Sequence, residues 1–77
     1  MDEEKLRQVM AHILRVPINS IGPESSMDNV PSWDSINHMY LVLALEEEFS
    51  VSIPDEEVAD ITSYVLIRAV VNQILLG

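Results

Sequence analysis

The sequence contains no cysteine and is poor in glycine, aromatic residues and basic residues. Without cysteine, neither disulfide bonds nor thiolate metal ligands can stabilise the fold. No apolar run reaches the roughly 18 residues that a membrane helix requires. The acidic start MDEEKLRQ lacks the apolar core of a secretory signal. We therefore expect a cytoplasmic protein without a membrane span.

The charge of the chain is strongly unbalanced. Thirteen acidic residues face four Lys and Arg residues, which gives a formal net charge of -9. Because binding to phosphates requires a basic surface, this balance argues against nucleic acid as a partner. Anionic membrane surfaces would repel the chain for the same reason. The charge favours protein partners that carry basic docking patches.

The composition is otherwise that of a small folded domain. A chain of 77 residues forms one domain at most, which we place at residues 1–77 and expect to be monomeric. Its apolar fraction of 48% is ample for a compact core and argues against disorder.

Apolar residues at helical spacing predict three long helices. Their predicted bounds are Asp2 to about Arg15, Asp34 or Ser35 to Phe49, and Tyr64 to about Leu75, with Thr62 or Ser63 capping the last. Pro54 and Asp55 predict the start of a short third helix, because proline tolerates early helical positions and aspartate caps. No segment shows the strict alternation of a strand. The predicted fold class is an all-α four-helix bundle.

The segment VPINSIGPESSMDNVPSW separates the first two helices and is longer than most loops in compact domains. Its glycine, prolines and serines are typical of a loop. We expect it to be ordered, because Ile18, Ile21, Met27 and Val30 can anchor it to the core.

The second helix has two apolar faces when its residues are placed about 100° apart. One face carries Leu41, Val42, Leu45 and Phe49, with His38 between them, and is sufficient to pack a small bundle. The other face carries Ile36, Met39 and Leu43, close to Tyr40 and Glu47. This second stripe could pack under the long loop. Alternatively, it could form an exposed docking ridge with an acidic rim that includes Asp34, Glu46 and Glu47.

Ser35 stands where the second helix begins, and its residue type allows two roles. Either Ser35 or Asp34 could cap the helix, an interaction typically worth about 1 kcal/mol. If Asp34 is the cap, the Ser35 hydroxyl lies in the first turn and points outward. A phosphodiester attached there would lie near the positive end of the helix, which favours anions.

The segment DSINHMYLVLALEEEFSVSIPDEE closely resembles the carrier-helix signature of acyl carrier proteins, in which Asp-Ser-Leu opens the second helix and an ALEEEF-like string ends it. Here the signature reads Asp34-Ser35-Ile36, and IPDEEVADITS is similar to the family's turn and short third helix. The resemblance covers the whole chain, from the acidic first helix to the last.

The resemblance implies a carrier that catalyses no reaction itself. A phosphopantetheinyl transferase, using magnesium and coenzyme A, would attach 4'-phosphopantetheine to Ser35 within the Asp34-Ser35 motif. The thiol of this arm would carry acyl groups as thioesters to enzymes of fatty-acid, polyketide or related specialised biosynthesis, in agreement with the absence of cysteine. The family can also shelter the acyl chain between helices, and the thin core here could open in that way. The residues that we expect to contact partner enzymes are Ile36, Met39, Leu43, Glu46, Glu47, Asp55 and Glu56.

Four residues depart from the family pattern. Asn37 and Tyr40 stand where carriers of fatty-acid synthesis often have acids, and Trp33 and His38 replace small or polar residues. These departures favour a specialised free-standing carrier with its own partner enzymes.

The same residues do not favour a hydrolase or a metal site. A hydrolase using Ser35 and His38 would need a glycine-rich nucleophile elbow and an oxyanion loop, and neither is evident. His38 is better interpreted as a core-edge residue bonded to the backbone, with contact to the arm's phosphate as the alternative. No metal site is expected, because His12 and His38 lie on separate helices and PDEEVAD lacks the pattern of a calcium loop.

The sequence also allows two alternative functions. One is an acidic adaptor that binds a partner helix and uses Ser35 only as a cap. The other is a peptidyl or D-alanyl carrier, although such carriers are generally less acidic than this chain.

Overall fold

The structure, a computed structural model that describes residues 1–77, is all-helical, as the sequence predicts. The helices are α1 (Glu3–Leu14), α2 (Ser35–Phe49), α3 (Asp55–Val58) and α4 (Tyr64–Leu76), with a short 3-10 helix at Ile18–Ser20. No strand forms, and one isolated bridge joins Ser26 to Ser63. The four-helix class and the three long helices are confirmed.

The helix ends follow from individual residues. Asp2 caps α1 by accepting a hydrogen bond from the backbone N–H of Lys5. The helix ends at Arg15, whose left-handed conformation (φ 59°) turns the chain ahead of Pro17. Ser63 caps α4 through its side chain, so of the two predicted caps it is the serine that acts.

Helix α3 starts where the sequence predicts, but its first residues act differently from the prediction. Pro54 occupies the N-cap position, Asp55 is the first helical residue, and no side chain caps the helix. The prediction that Asp55 caps is therefore wrong. Because Pro54 occupies the N-cap, the Asp55 carboxylate lies in the first turn of the helix. There its negative charge interacts favourably with the positive amino end of the helix.

One hydrophobic core holds the helices together. Its fully buried side chains come from all three long helices, from the long loop before α2 and from the short connection before α4: Leu6, Met10, Leu14, Trp33, Leu41, Leu45, Ile61, Tyr64, Ile67 and Val71. Helices α1 and α2 pack side by side in opposite directions, since Lys5 at the start of α1 forms an ion pair with Glu48 at the end of α2.

The long loop before α2 is fastened to the rest of the fold. Ile21 and Val30 are buried, while Ile18 and Met27 pack partly buried against the core, as predicted. The backbone N–H of Met27 donates to the carbonyl of Thr62 at 3.0 Å, which joins the loop to the start of α4. This anchoring fixes the position from which α2 begins.

Glu3 links α1 to α4. Its Oε1 accepts hydrogen bonds from the Tyr64 hydroxyl at 2.9 Å and from Arg68 Nη1 at 3.2 Å. The hydrogen bond from Tyr64, followed by that from Arg68, lowers the pKa of Glu3 below its usual value of 4.5. Burial of the ring and then the bond to Glu3 raise the pKa of Tyr64 above its usual value of 10.0.

This linkage gives a pH-dependent prediction. A carboxyl group whose pKa is lowered by folding stabilises the folded state above its unfolded pKa, and this stabilisation is lost as pH falls through the folded pKa. We therefore expect Glu3→Gln to lower the free energy of unfolding at neutral pH but progressively less as pH falls below 4.5. Urea unfolding of both proteins across this range measures the difference. A difference that does not change with pH would contradict the assignment.

Candidate functional site

Two hydrogen bonds among Ser32, Asp34 and Asn37 hold the chain at the start of α2. Asp34 occupies the N-cap, and its Oδ1 accepts a hydrogen bond from the backbone N–H of Asn37 at 2.8 Å. The Asn37 side chain in turn donates to the Ser32 carbonyl at 2.8 Å, which clamps the chain that enters the helix. Because Asp34 is the cap, Ser35 is the first helical residue and has no capping role.

Ser35 presents a free hydroxyl to solvent. The residue is exposed, and its side chain forms no hydrogen bond within the chain. It lies at the amino end of a 15-residue helix, where unpaired N–H groups favour an anion, and no acidic residue occupies the first turn. The neighbouring Ser32 hydroxyl, by contrast, is buried and has no partner. An external enzyme could therefore reach Ser35 but not Ser32.

The second apolar stripe of α2 lies at the surface. Ile36, Met39 and Leu43 are 69%, 51% and 59% exposed, and Tyr40 is exposed beside them. We call these four residues the α2 ridge. The opposite face is buried at His38, Leu41, Val42 and Leu45. The alternative that this stripe packs under the long loop is therefore wrong, because all three of its residues are more than half exposed.

The acids predicted to contact partner enzymes differ in their surroundings, and Asp34, predicted to lie on the rim of the ridge, is exposed. Glu47, Asp55 and Glu56 are exposed. Glu46 is half-buried, and its Oε2 accepts a hydrogen bond from the backbone N–H of Ile53 at 2.8 Å. Glu46 thus has a structural contact that fastens the connection between α2 and α3, which the sequence did not indicate.

The side of the ridge that faces α1 is not acidic throughout. An open concavity of about 750 Å³ lies there between α1 and α2, and Arg15, His12, Tyr40 and Glu47 are among its lining residues. The basic groups of α1 therefore approach one flank of the ridge.

The phosphopantetheine attachment site family matches residues 4–71 of this chain. The chain belongs to this family. The match confirms the resemblance to acyl carrier proteins and spans α2, α3 and most of α1 and α4, including the start of α2 described above. Domains of this family carry covalently bound 4'-phosphopantetheine, are modified by phosphopantetheinyl transferases and serve biosynthetic enzymes without catalysing a reaction themselves.

Within this carrier fold, His38 is part of the core. The Trp33 indole Nε1–H donates to His38 Nδ1 at 3.0 Å, and His38 Nε2 lies 2.7 Å from the Val58 carbonyl oxygen. Because an indole N–H can only donate, Nδ1 must accept, and the ring proton lies on Nε2 and is donated to Val58. Both ring nitrogens are therefore occupied, which confirms the expected bond to the backbone and leaves neither free to act as a base for Ser35.

Two further features bear on the carrier's surroundings. No group of three or more His, Asp and Glu side chains could hold a metal ion. None of the helices combines the length and the apolar character needed to cross a membrane.

Asp34 provides a test that separates folding from attachment. Asp34→Ala removes the cap and should lower the free energy of unfolding by about 1 kcal/mol, whereas Asp34→Asn keeps a capping oxygen and should retain nearly full stability. We expect both variants to slow attachment of the arm predicted at Ser35, because the Asp34 carboxylate belongs to the adjacent residue of the predicted attachment motif. Transferase kinetics and urea unfolding measure the two effects. If the Asp34→Asn variant gains the arm at the same rate as the unaltered protein, Asp34 acts only as the helix cap.

Proposed function

We propose that this protein is an acyl carrier protein that holds acyl groups as thioesters on a 4'-phosphopantetheine arm attached to Ser35. The observation that carries this proposal is the exposed, unbonded Ser35 hydroxyl at the first position of α2, inside the segment that matches the family. We also propose that residues 1–77 act as a single carrier domain, as a monomer in the cytoplasm.

The residues at the start of α2 suit attachment of the arm. The Ser35 oxygen would form a phosphodiester with the pantetheine-bearing phosphate of coenzyme A, while the pyrophosphate bond breaks, the nucleotide leaves with the other phosphate, and the hydroxyl proton is released. The N–H groups of the first helical turn favour the resulting anion. When attached, the arm supplies the thiol that forms thioesters. The chain itself supplies the hydroxyl, holds it in solvent and has no thiol of its own.

The absence of cysteine makes the test direct. Incubation with coenzyme A, magnesium and a broad-specificity phosphopantetheinyl transferase should raise the intact mass by one phosphopantetheinyl group. A thiol reagent should then detect one thiol per chain, where the untreated protein has none. An acidic adaptor that uses no cofactor would gain neither the mass nor the thiol, and that result would contradict the proposal.

We further propose that partner enzymes dock on the α2 ridge. Its apolar side chains provide anchors that stay in solvent when the protein is alone. The exposed acids Glu47 on α2 and Asp55 and Glu56 on α3 would attract a basic patch on the enzyme. Glu46 can contribute charge to this rim, although its hydrogen bond to Ile53 holds it close to the fold.

Two methionines of the same chain test this proposal. Met10 is fully buried on α1, so Met10→Ala should lower the free energy of unfolding by about 2–5 kcal/mol. Met39 is half exposed, and Met39→Ala should change stability by within about 0.5 kcal/mol. We expect Met39→Ala instead to raise the KM of the carrier as a substrate of the transferase several-fold. An unchanged KM would remove Met39 from the docking surface.

The flank of the ridge favours a dedicated pathway. Asn37 and Tyr40 are uncharged, and Arg15 and His12 lie beside them across the concavity. An enzyme whose basic patch is suited to a uniformly acidic carrier would form fewer favourable charge interactions with this flank of the ridge. We propose acyl groups of a specialised biosynthesis as the cargo. A peptidyl or D-alanyl carrier is the second candidate, disfavoured by the dense acids of α2 and α3.

A further inference from the structure

The interior of the bundle nearest to Ser35 is closed by a hydrogen-bonded pair of side chains. Trp33 and His38 are only 2% and 5% exposed and lie on either side of Ser35 in the sequence. The pair bonds to Val58, the last residue of α3, through His38 Nε2. We call this arrangement of Trp33, His38 and the Val58 carbonyl the latch, because it joins the start of α2 to the end of α3.

An alkyl chain on the arm would reach the core from this side only by opening the latch. Burial of alkyl carbon is favourable, and the gain grows with each methylene group. Separating α2 from α3, however, would strip the Trp33 N–H, the His38 ring and the Val58 carbonyl of their partners inside an apolar environment. A chain of a few carbons gains too little from burial to offset those losses, and a longer chain would also have to displace core side chains that are completely buried.

No surface concavity reaches the interior of the bundle beside the latch. The concavities of the surface lie between α1 and α2 and between α3 and α4, and none is lined by a residue of the latch. Helix α3 lines only the concavity on its α4 side, through Glu56 and Glu57 together with Val70 and Ile74. The core side chains of α2, Leu41 and Leu45, are completely buried.

We propose that the latch keeps the cargo outside the helical bundle, so that this carrier serves short or polar acyl groups and not long alkyl chains. This inference rests on the proposed attachment of the arm at Ser35. It differs from the expectation, drawn from the resemblance, that the core could open to shelter an acyl chain. Trp33 and His38, which depart from the family pattern, form the closure.

The test loads the protein through the transferase with acetyl-, butyryl-, octanoyl- and dodecanoyl-coenzyme A and compares the products. Three readouts are recorded: the melting temperature, the emission of Trp33, which is the only tryptophan, and the rate at which hydroxylamine cleaves the thioester. We expect all three to be independent of chain length. A melting temperature that rises, a cleavage rate that falls and a Trp33 emission that shifts with the octanoyl and dodecanoyl chains would overturn the proposal.

His38→Ala supplies the matched variant, because it breaks the latch and keeps the Trp33 reporter. In this variant we expect the long chains to slow thioester cleavage and to shift Trp33 emission relative to the acetyl form. If the cleavage rate and Trp33 emission of the folded variant do not depend on chain length, His38 does not close the core, and the proposed role of the latch is wrong. If the variant does not fold, the chain-length series of the unaltered protein decides alone. Failure of the proposed attachment is distinguishable, since no acyl form would then gain mass.

Discussion

Replacement of Ser35 by alanine is expected to abolish both the mass increase and the new thiol in the transferase reaction. The reaction needs a hydroxyl oxygen at this position to form the phosphodiester, and alanine has none. The fold should be unaffected, because the Ser35 side chain is exposed and Asp34 provides the cap of α2. Intact-mass spectrometry measures the loss, and circular dichroism establishes that helix content is retained.

The matched control for this prediction is Ser52→Ala. Ser52 is also exposed and lies in the connection between α2 and α3, with no side-chain hydrogen bond. We expect the control variant to gain the arm as fully as the unaltered protein does. If Ser35→Ala still gained one phosphopantetheinyl group, the attachment residue would be another hydroxyl and the assignment of Ser35 would be wrong.

Loss of His38 should have the largest effect on stability. His38→Ala leaves the buried Trp33 N–H and the Val58 carbonyl without partners, and each unsatisfied group costs about 1–3 kcal/mol. In a domain of this size, each kcal/mol lowers the melting temperature by about 4–8 °C. We therefore expect a large drop in melting temperature, and a small domain of this kind has little stability to lose.

His12→Ala is the control for His38→Ala. His12 is exposed on α1, so its replacement should change stability by within about 0.5 kcal/mol. Urea unfolding measures the free energy of unfolding of the two variants and of the unaltered protein. The comparison shows the effect of the same substitution at a buried and at an exposed position. Equal effects would show that the hydrogen bonds of His38 do not stabilise the fold.

Local patterns in the sequence predict most of the helical framework. The spacing of Leu6, Met10 and Leu14 predicts α1, and the buried and exposed faces of α2 separate correctly at 100° per residue. Caps at Asp34 and Ser63 are short-range features that depend on residues three positions away. The 3-10 helix at Ile18–Ser20 was not predicted, because a single turn leaves no periodic pattern.

The contacts that complete the site are long-range and could not be predicted from such patterns. His38 forms a hydrogen bond with the Val58 carbonyl, 20 residues away in the sequence. Tyr64 donates a hydrogen bond to the Glu3 carboxylate, 61 residues away. The sequence singled out both Trp33 and His38 as unusual but did not indicate that their side chains form a hydrogen bond with each other. Similarly, Glu46 was predicted as a rim acid, yet its bond to Ile53 depends on how the chain returns after α2.

The most direct test is tandem mass spectrometry of the protein purified from its own source. We expect a phosphopantetheine arm on the peptide that contains Ser35, with a short or polar acyl group held on its thiol. A protein that carries no arm while its cells are actively growing, or an arm on a different serine, would contradict the role proposed for this chain.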